Sequence, residues 1–312
     1  MPYHPRFECK KVASFQTTRT RNSQLWFVNN SNLEKTVLGY AARYATRYSV
    51  RLYALAIEGN HIQHVAHFPE CNRAHFMRDF NSSVARAVPR FQSNYPGGSL
   101  WQRRYSAEYL PGDSDIEDRF FYTVLQPVND GLVDDIRDYP GYNCFEDAIN
   151  GTLRQFTVVK WKEYNDARRW NPYVSIEQYT ETHTLQYARL PGYEALSQKQ
   201  YTRIMREKLK YRTAAALKKR ANKPAFGRQN LIKIVPGSRP KSTKTSARYQ
   251  HRPRVLSKDP ARRAAGESWY FSRYFEYRRA SRRYRTGELN TPFPAGTYRP
   301  PLFTVGYTGT IG

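Results

Sequence analysis

Gly59-Asn60-His61-Ile62-Gln63-His64-Val65-Ala66-His67-Phe68-Pro69 decides how the first half of this chain is read. Gly59-Asn60 breaks the chain ahead of it and Pro69 closes it. Residues 61–68 have the length of an ordinary strand and are short for a helix, and Ile62, Val65 and Phe68 favour a strand. Side chains alternate on a strand, so His61, Gln63, Val65 and His67 share one face and Ile62, His64, Ala66 and Phe68 the other. One face then presents an imidazole and a carboxamide oxygen two residues apart, a pair between which a divalent cation fits. The competing reading is a strand whose histidines only pack or face water. A helix would instead align His61, His64 and His67, but the Gly-Asn and Pro brackets favour the strand. There is no HExxH.

Outward from this stretch, residues 13–19 read as a strand and 25–28 as a short apolar piece. From Leu33 to Tyr48 the apolar residues follow helical spacing, with Asn32 as the expected cap. Residues 50–57 read as a strand covered on both faces, and the histidine strand follows across a hairpin-like break. Residues 72–88 are helical and end at Pro89. Ser99-Leu100-Trp101-Gln102-Arg103-Arg104-Tyr105 sets an aromatic beside arginines, which suits a stacked base and a phosphate as well as a buried Trp anchor beside surface cations.

A second informative stretch starts at Asp113. Ser114 and Glu117 have the spacing of a capping box, and Pro127 requires the helix to stop near Gln126. At ~100° per residue Ile116, Phe120, Phe121, Val124 and Leu125 fill one half of the wheel. Asp115, Asp118, Arg119, Tyr122 and Gln126 fill the other. Tyr122 and Gln126 are i, i+4 neighbours on that polar half. By itself this is an ordinary amphipathic surface helix.

The 312 residues carry a net charge of +25, distributed unevenly. Residues 201–312 hold 27 Lys/Arg against 5 Asp/Glu, and residues 1–200 hold 24 against 21. A nearly neutral globule followed by a basic region points to nucleic acid as partner. An anionic membrane is the weaker alternative, because no strongly apolar face accompanies the charge. Cys9, Cys71 and Cys144 are scattered and lack CxxC spacing, so neither a disulfide framework nor a zinc knuckle is expected, and a reducing cytoplasm fits. No apolar run is long enough to span a membrane, and no signal peptide is expected. The expected divisions are a domain over 1–149, a basic helical extension over 150–235, and a basic, aromatic-rich arm with a linker over 236–312. The stretch 153–161 is β-prone, 165–200 is mixed, and 202–221 is a basic helix. In 268–285 aromatic and arginine residues interleave, with Arg278, Arg279, Arg282 and Arg283 along one side of a helix, a pattern shared by solvated helices and nucleic-acid surfaces.

Four segments together resemble the single-tyrosine HUH transposases. Asn60-His61-Ile62-Gln63 with Pro69-Glu70 is similar to their Asn-His-x-His … Pro-Glu run, and 99–105 to their Leu-Trp-Gln-x-Arg-Tyr/Phe segment. Tyr122-Thr123-Val124-Leu125-Gln126-Pro127-Val128-Asn129-Asp130-Gly131-Leu132-Val133 resembles their Tyr-Ile-x-Leu-Asn-Pro-Val-x-x-Gly-Leu-Val, and Asp138-Tyr139-Pro140 their Asp-Tyr/Trp-Pro. The likeness covers about 13–142 and is greatest to the branch associated with repetitive extragenic palindromes. It implies an α+β, ferredoxin-like fold, a central antiparallel sheet with helices. It implies Tyr122 as nucleophile and His61, Gln63 and Gln126 as ligands of Mg2+ or Mn2+. Gln63 stands where the family has its second histidine, and Glu58-Gly59 replaces the usual Met-Pro. The implied activity is endonuclease and strand transfer on single-stranded DNA beside a hairpin, through a 5′-phosphotyrosine. Trp101, Arg103, Arg104 and the four arginines of 278–283 are the expected DNA contacts. The runner-up is a domesticated hairpin-binding protein without chemistry. A rolling-circle initiator shares the site, but no GxxxxGK[ST] of a fused helicase is present. A monomer is favoured over a dimer.

Overall fold

The computed structural model describes residues 5–221, 223–240 and 254–302. The chain runs β1 (Ala13–Arg19), α1 (Ser31–Arg47), β2 (Arg51–Glu58), β3 (His61–His67), α2 (Arg73–Phe91), β4 (Ser106–Leu110), α3 (Asp113–Val124), α4 (Gln126–Asn129) and α5 (Phe145–Asn150). It continues through β5 (Arg154–Val159), α6 (Trp161–Trp170), β6 (Thr180–Leu185), α7 (Gln198–Arg220), α8 (Arg228–Leu231) and α9 (Pro260–Arg285). The first four strands form an antiparallel sheet in the order β2-β3-β1-β4. That order, with helices after β1 and β3, is the split βαβ of a ferredoxin-like α+β fold.

Register assigns the faces. Phe15 pairs with Val65, Thr17 with Gln63 and Arg19 with His61, while Ala56 and Glu58 pair with Gln63 and His61 from the other side. Directly opposed residues share a face, so His61, Gln63, Glu58, Phe15 and Thr17 lie on one side of the sheet. His64 lies on the other, against Phe76 and Phe80 of α2. α1 and α2 cover this second face and meet through the Tyr44 and Ser83 hydroxyls, 2.8 Å apart. α3 lies on the first face. Both sheet edges are covered, which removes them as templates for aggregation. Leu52 and Ile57 of β2 bond to Ala188 and Tyr142, and Tyr109 of β4 exchanges bonds of 2.8 Å with Arg254 and Leu256.

Several boundaries differ from the sequence expectation for local reasons. α1 is capped by Asn30, not Asn32: Asn30 has the extended backbone a cap needs, and its Oδ1 accepts the Leu33 N–H at 2.9 Å. α2 runs two residues past Pro89, because a proline in the last turn removes only one donor and Gln92 N–H still reaches Val88 O at 2.9 Å. The capping box at Ser114 and Glu117 does not form. Gly112 is the cap residue, Ser114 Oγ accepts from Arg262, and Glu117 takes Lys208 and Arg212. α3 stops at Val124, and Pro127 sits in the first turn of α4, where its missing N–H costs nothing. β4 is not expected from Ser-Ala-Glu-Tyr-Leu, whose strand propensity is weak; β1 and the 254–256 segment hold it extended on its two sides.

The region 150–235 is not purely helical. β5 and β6 pair into a two-stranded sheet, built on a Thr/Val-rich alternation, that packs on α1. Approach is close enough that a Cβ on Gly39 would lie 2.8 Å from Val158 Cγ2, so α1 needs glycine there. Phe156, Val158, Tyr187, Tyr201 and Met205 share one apolar core with β1–β4, α1 and α2, so packing crosses residue 150 without a break. The region after 236 contributes the long α9, and a second small core joins Phe7, Tyr109, Val255 and Tyr270. Part of the expected linker, 241–253, lies outside the described residues.

Candidate functional site

β3 carries His61 and Gln63 to the face on which α3 and α4 lie, and Gln126 enters from the first residue of α4. Their polar ends converge. His61 Nδ1 donates to Asn60 Oδ1 at 2.8 Å, which leaves Nε2 as the lone-pair nitrogen. Nε2 accepts from the Gln126 amide at 2.9 Å and the Gln63 amide at 3.1 Å, and the Gln63 amide also donates to Gln126 Oε1. The Gln126 amide reaches Asp130 Oδ2 at 3.4 Å. All three residues are buried.

Gln63 Oε1 is buried without a hydrogen-bond partner among the described residues. An orphaned carbonyl of this kind is costly in a purely structural cluster. Turning the Gln63 carboxamide over brings its oxygen beside His61 Nε2 and Gln126 Oε1, so that three lone pairs face one point. That donor set, one imidazole nitrogen and two neutral oxygens, fits Mn2+ or Mg2+ and offers no thiolate to Zn2+. Among the described residues no group of three or more His, Cys, Asp or Glu could hold a metal, so the ligand set depends on the two amides.

Two acids flank the cluster. Glu58 pairs directly with His61 across the strands and is 4% exposed. Burial pushes its carboxyl up to about 8, against a smaller opposing hydrogen bond from Tyr139, while Asp130 raises it further. Tyr139 belongs to the Asp138-Tyr139-Pro140 segment, which thus closes over the edge of the site. The sequence marked Glu58 only as a departure from the family pattern and left Asp130 and Tyr139 without a role.

Tyr122 leaves α3 one turn before Gln126, on the same side of the sheet. Its ring meets Phe15 edge-to-face at 5.8 Å and it is 43% exposed. Phe15 is a diagonal neighbour of Gln63, about 7–8 Å between backbones. The Tyr122 ring therefore rests on the same sheet face as the polar cluster, against a strand neighbour of Gln63, and is open to solvent. Arg119, one turn earlier, stacks over the Tyr122 ring at 4.4 Å. The sequence places the two residues at i, i+3 on the polar half of the helix but assigns Arg119 no role.

The remaining expected contacts are dispersed. Trp101 is half-buried, bonds through Nε1 to Asn81 O at 2.9 Å and tilts against Phe27, which makes it an anchor. Arg103 and Arg104 beside it are exposed. Arg278, Arg279, Arg282 and Arg283 are exposed on α9, with Arg283 paired to Glu288 at 2.6 Å. Part of the C-terminal basic excess serves the fold. Lys208 and Arg212 hold Glu117, Arg212 and Lys258 hold Asp118, and Arg262 holds Asp115, all on α3. No helix among the described residues is long and apolar enough to cross a membrane.

No family model and no curated protein matches the sequence. Among solved structures, the chain is similar to a REP-associated tyrosine transposase bound to a REP hairpin, with a TM-score of 0.41 and 17% identity, over 48% of this chain and 87% of that one.

Proposed function

We propose that this chain is a single-tyrosine HUH endonuclease and strand transferase that acts on single-stranded DNA next to a hairpin. The observation that carries the reading is the meeting of His61, Gln63 and Gln126 at hydrogen-bond distance, on the sheet face against which the Tyr122 ring of α3 packs. Two of the four family-like segments of the sequence, 60–63 and 122–133, supply these residues in the same order.

His61, Gln63 and Gln126 would hold Mn2+ or Mg2+, which when bound withdraws charge from the scissile phosphate. Asn60 fixes the imidazole tautomer that points Nε2 inward. The Tyr122 phenol oxygen forms a new bond to phosphorus and the P–O3′ bond breaks. The phenol gives up its proton to solvent, and the departing O3′ takes one up. The product is a 5′-phosphotyrosine and a free 3′-OH. Because the phosphoester bond count is unchanged, another 3′-OH can reverse the step and rejoin the strand. The scissile strand must be unpaired to enter a site set against a sheet face, and a paired stem beside it matches the basic exposed surfaces.

A binding protein without chemistry is the second reading. It is favoured by the single imidazole and by the way the two amides already bond to each other and to His61. A hairpin oligonucleotide with single-stranded flanks separates the two. With Mn2+, a denaturation-resistant protein–DNA adduct supports the enzyme. Tight binding without any adduct across a panel of flanks supports the binder.

A further inference from the structure

Arg119 is not part of the cluster described above, and its surroundings suit an anion. Its guanidinium lies 4.4 Å from the ring centre of Tyr122 and 5.0 Å from that of Phe15, and those two rings touch each other edge-to-face. The cation thus closes a triangle with the proposed nucleophile and the floor of the sheet. Its backbone is fixed, since Thr123 Oγ1 donates to Arg119 O at 2.9 Å. No hydrogen bond or ion pair of its side chain occurs among the described residues. The nearest acids act on it only at a distance: Glu108 on β4, and Asp118, which Arg212 and Lys258 engage at 2.8 and 2.7 Å. Burial lowers the pKa of this guanidinium, with Tyr122 and the two acids offsetting part of the effect.

A guanidinium carries five donors in a planar fork that matches two phosphate oxygens. Stacking on aromatic rings satisfies its faces and leaves those edge donors available. The other cations that contact α3 serve it as ion pairs, whereas Arg119 stands at the half-exposed phenol with its donors uncommitted.

We propose that Arg119 binds a non-bridging oxygen of the phosphodiester presented to Tyr122, holding phosphorus over the phenol while its stacked face fixes the ring. The proposal rests on Tyr122 as nucleophile. It adds a phosphate-binding residue that the metal ligands do not supply, on the side of the tyrosine away from Gln126.

The test is a cycle between protein and DNA. Single-turnover cleavage of a flanked hairpin with Mn2+ is measured for the wild type, Arg119→Met and Arg119→Lys, with either phosphate or uncharged methylphosphonate at the scissile position. The expected result is a loss of about 10²–10³-fold for Arg119→Met on phosphate, the range for removing one oxyanion donor, with partial recovery in Arg119→Lys. Methylphosphonate should slow Arg119→Met by a clearly smaller factor than the wild type, because part of its effect in the wild type is loss of the same contact. Penalties that simply multiply, or wild-type rates in Arg119→Met, overturn the proposal. The same cycle is read by binding in a Tyr122→Phe background, moving one methylphosphonate along the flank. Coupling at a single position supports the contact even if the wild type forms no adduct, which would count against the nuclease reading alone. Absence of coupling at every position refutes the contact.

Discussion

Replacing His64 by Leu separates the two faces of β3 in a single experiment. His64 is 0% exposed, its ring meets Phe76 and Phe80 edge-on at 5.7 and 4.8 Å, and both ring nitrogens are buried without hydrogen-bond partners among the described residues. Burial among these aromatics lowers its pKa from 6.5 to about 3. The unfolded chain takes up a proton as pH falls through 6.5, while the native chain refuses it until about 3. Native stability is therefore intact above about 6.5 and lost progressively on acidification. Two pH units below the unfolded pKa, at pH 4.5, the loss is about 2.7 kcal/mol, at about 1.36 kcal/mol per unit. His64→Leu removes this term. Its stability relative to wild type should rise by about 2.5 kcal/mol between pH 7 and pH 4.5, with near-neutral or slightly stabilising behaviour at pH 7, because two unpaired buried nitrogens disappear. Denaturant unfolding at pH 7, 5.5 and 4.5 measures it, with adduct formation assayed beside it. A difference that does not change with pH refutes the buried neutral imidazole. Loss of the adduct in a folded His64→Leu protein would move the ligand role from Gln63 to His64.

Glu58→Gln should show the opposite slope. With its carboxyl pushed up to about 8, wild-type stability falls as pH rises from the unfolded value of 4.5, and the variant should gain about 2–4 kcal/mol at pH 8 and nothing at pH 4.5 by denaturant unfolding. Glu117→Ala removes the acceptor shared by Lys208, Arg212 and the Tyr193 hydroxyl; partial exposure of the cations limits the cost to about 1–2 kcal/mol, read as a lowered urea midpoint. Gln63→His supplies a second imidazole and should tighten Mn2+ binding at least about tenfold by calorimetry, with chelator abolishing the adduct in wild type and variant while hairpin binding persists.

The period-two alternation of residues 61–68 is local, so the opposed directions of Gln63 and His64 could be read without coordinates. The same holds for α1 and α2, whose apolar spacing is strong. What escaped depends on distant partners. Ser114 and Glu117 look like a capping box, but Arg262, Lys208 and Arg212 from the far end of the chain take those side chains. β4 is a strand because β1 and the 254–256 segment hold it, not because its residues prefer one. Arg119 and Tyr122 are i, i+3 neighbours, but Phe15 joins them only once β1 and α3 face each other, so that corner of the triangle leaves no trace in sequence spacing. Gln126 was legible as an i, i+4 neighbour of Tyr122, yet its bond to His61 depends on α3 ending at Val124 and α4 turning Gln126 inward.

The most direct measurement is peptide mapping of the covalent product after incubation with a flanked DNA hairpin and Mn2+. A nucleotide mass on the peptide that contains Tyr122, with a free 3′-OH on the released strand and no product from Tyr122→Phe, is the expected result. Cleavage by folded Tyr122→Phe, or a nucleotide attached at any other residue, would contradict a phenol on α3 acting on a phosphate beside a metal ion that His61, Gln63 and Gln126 would hold.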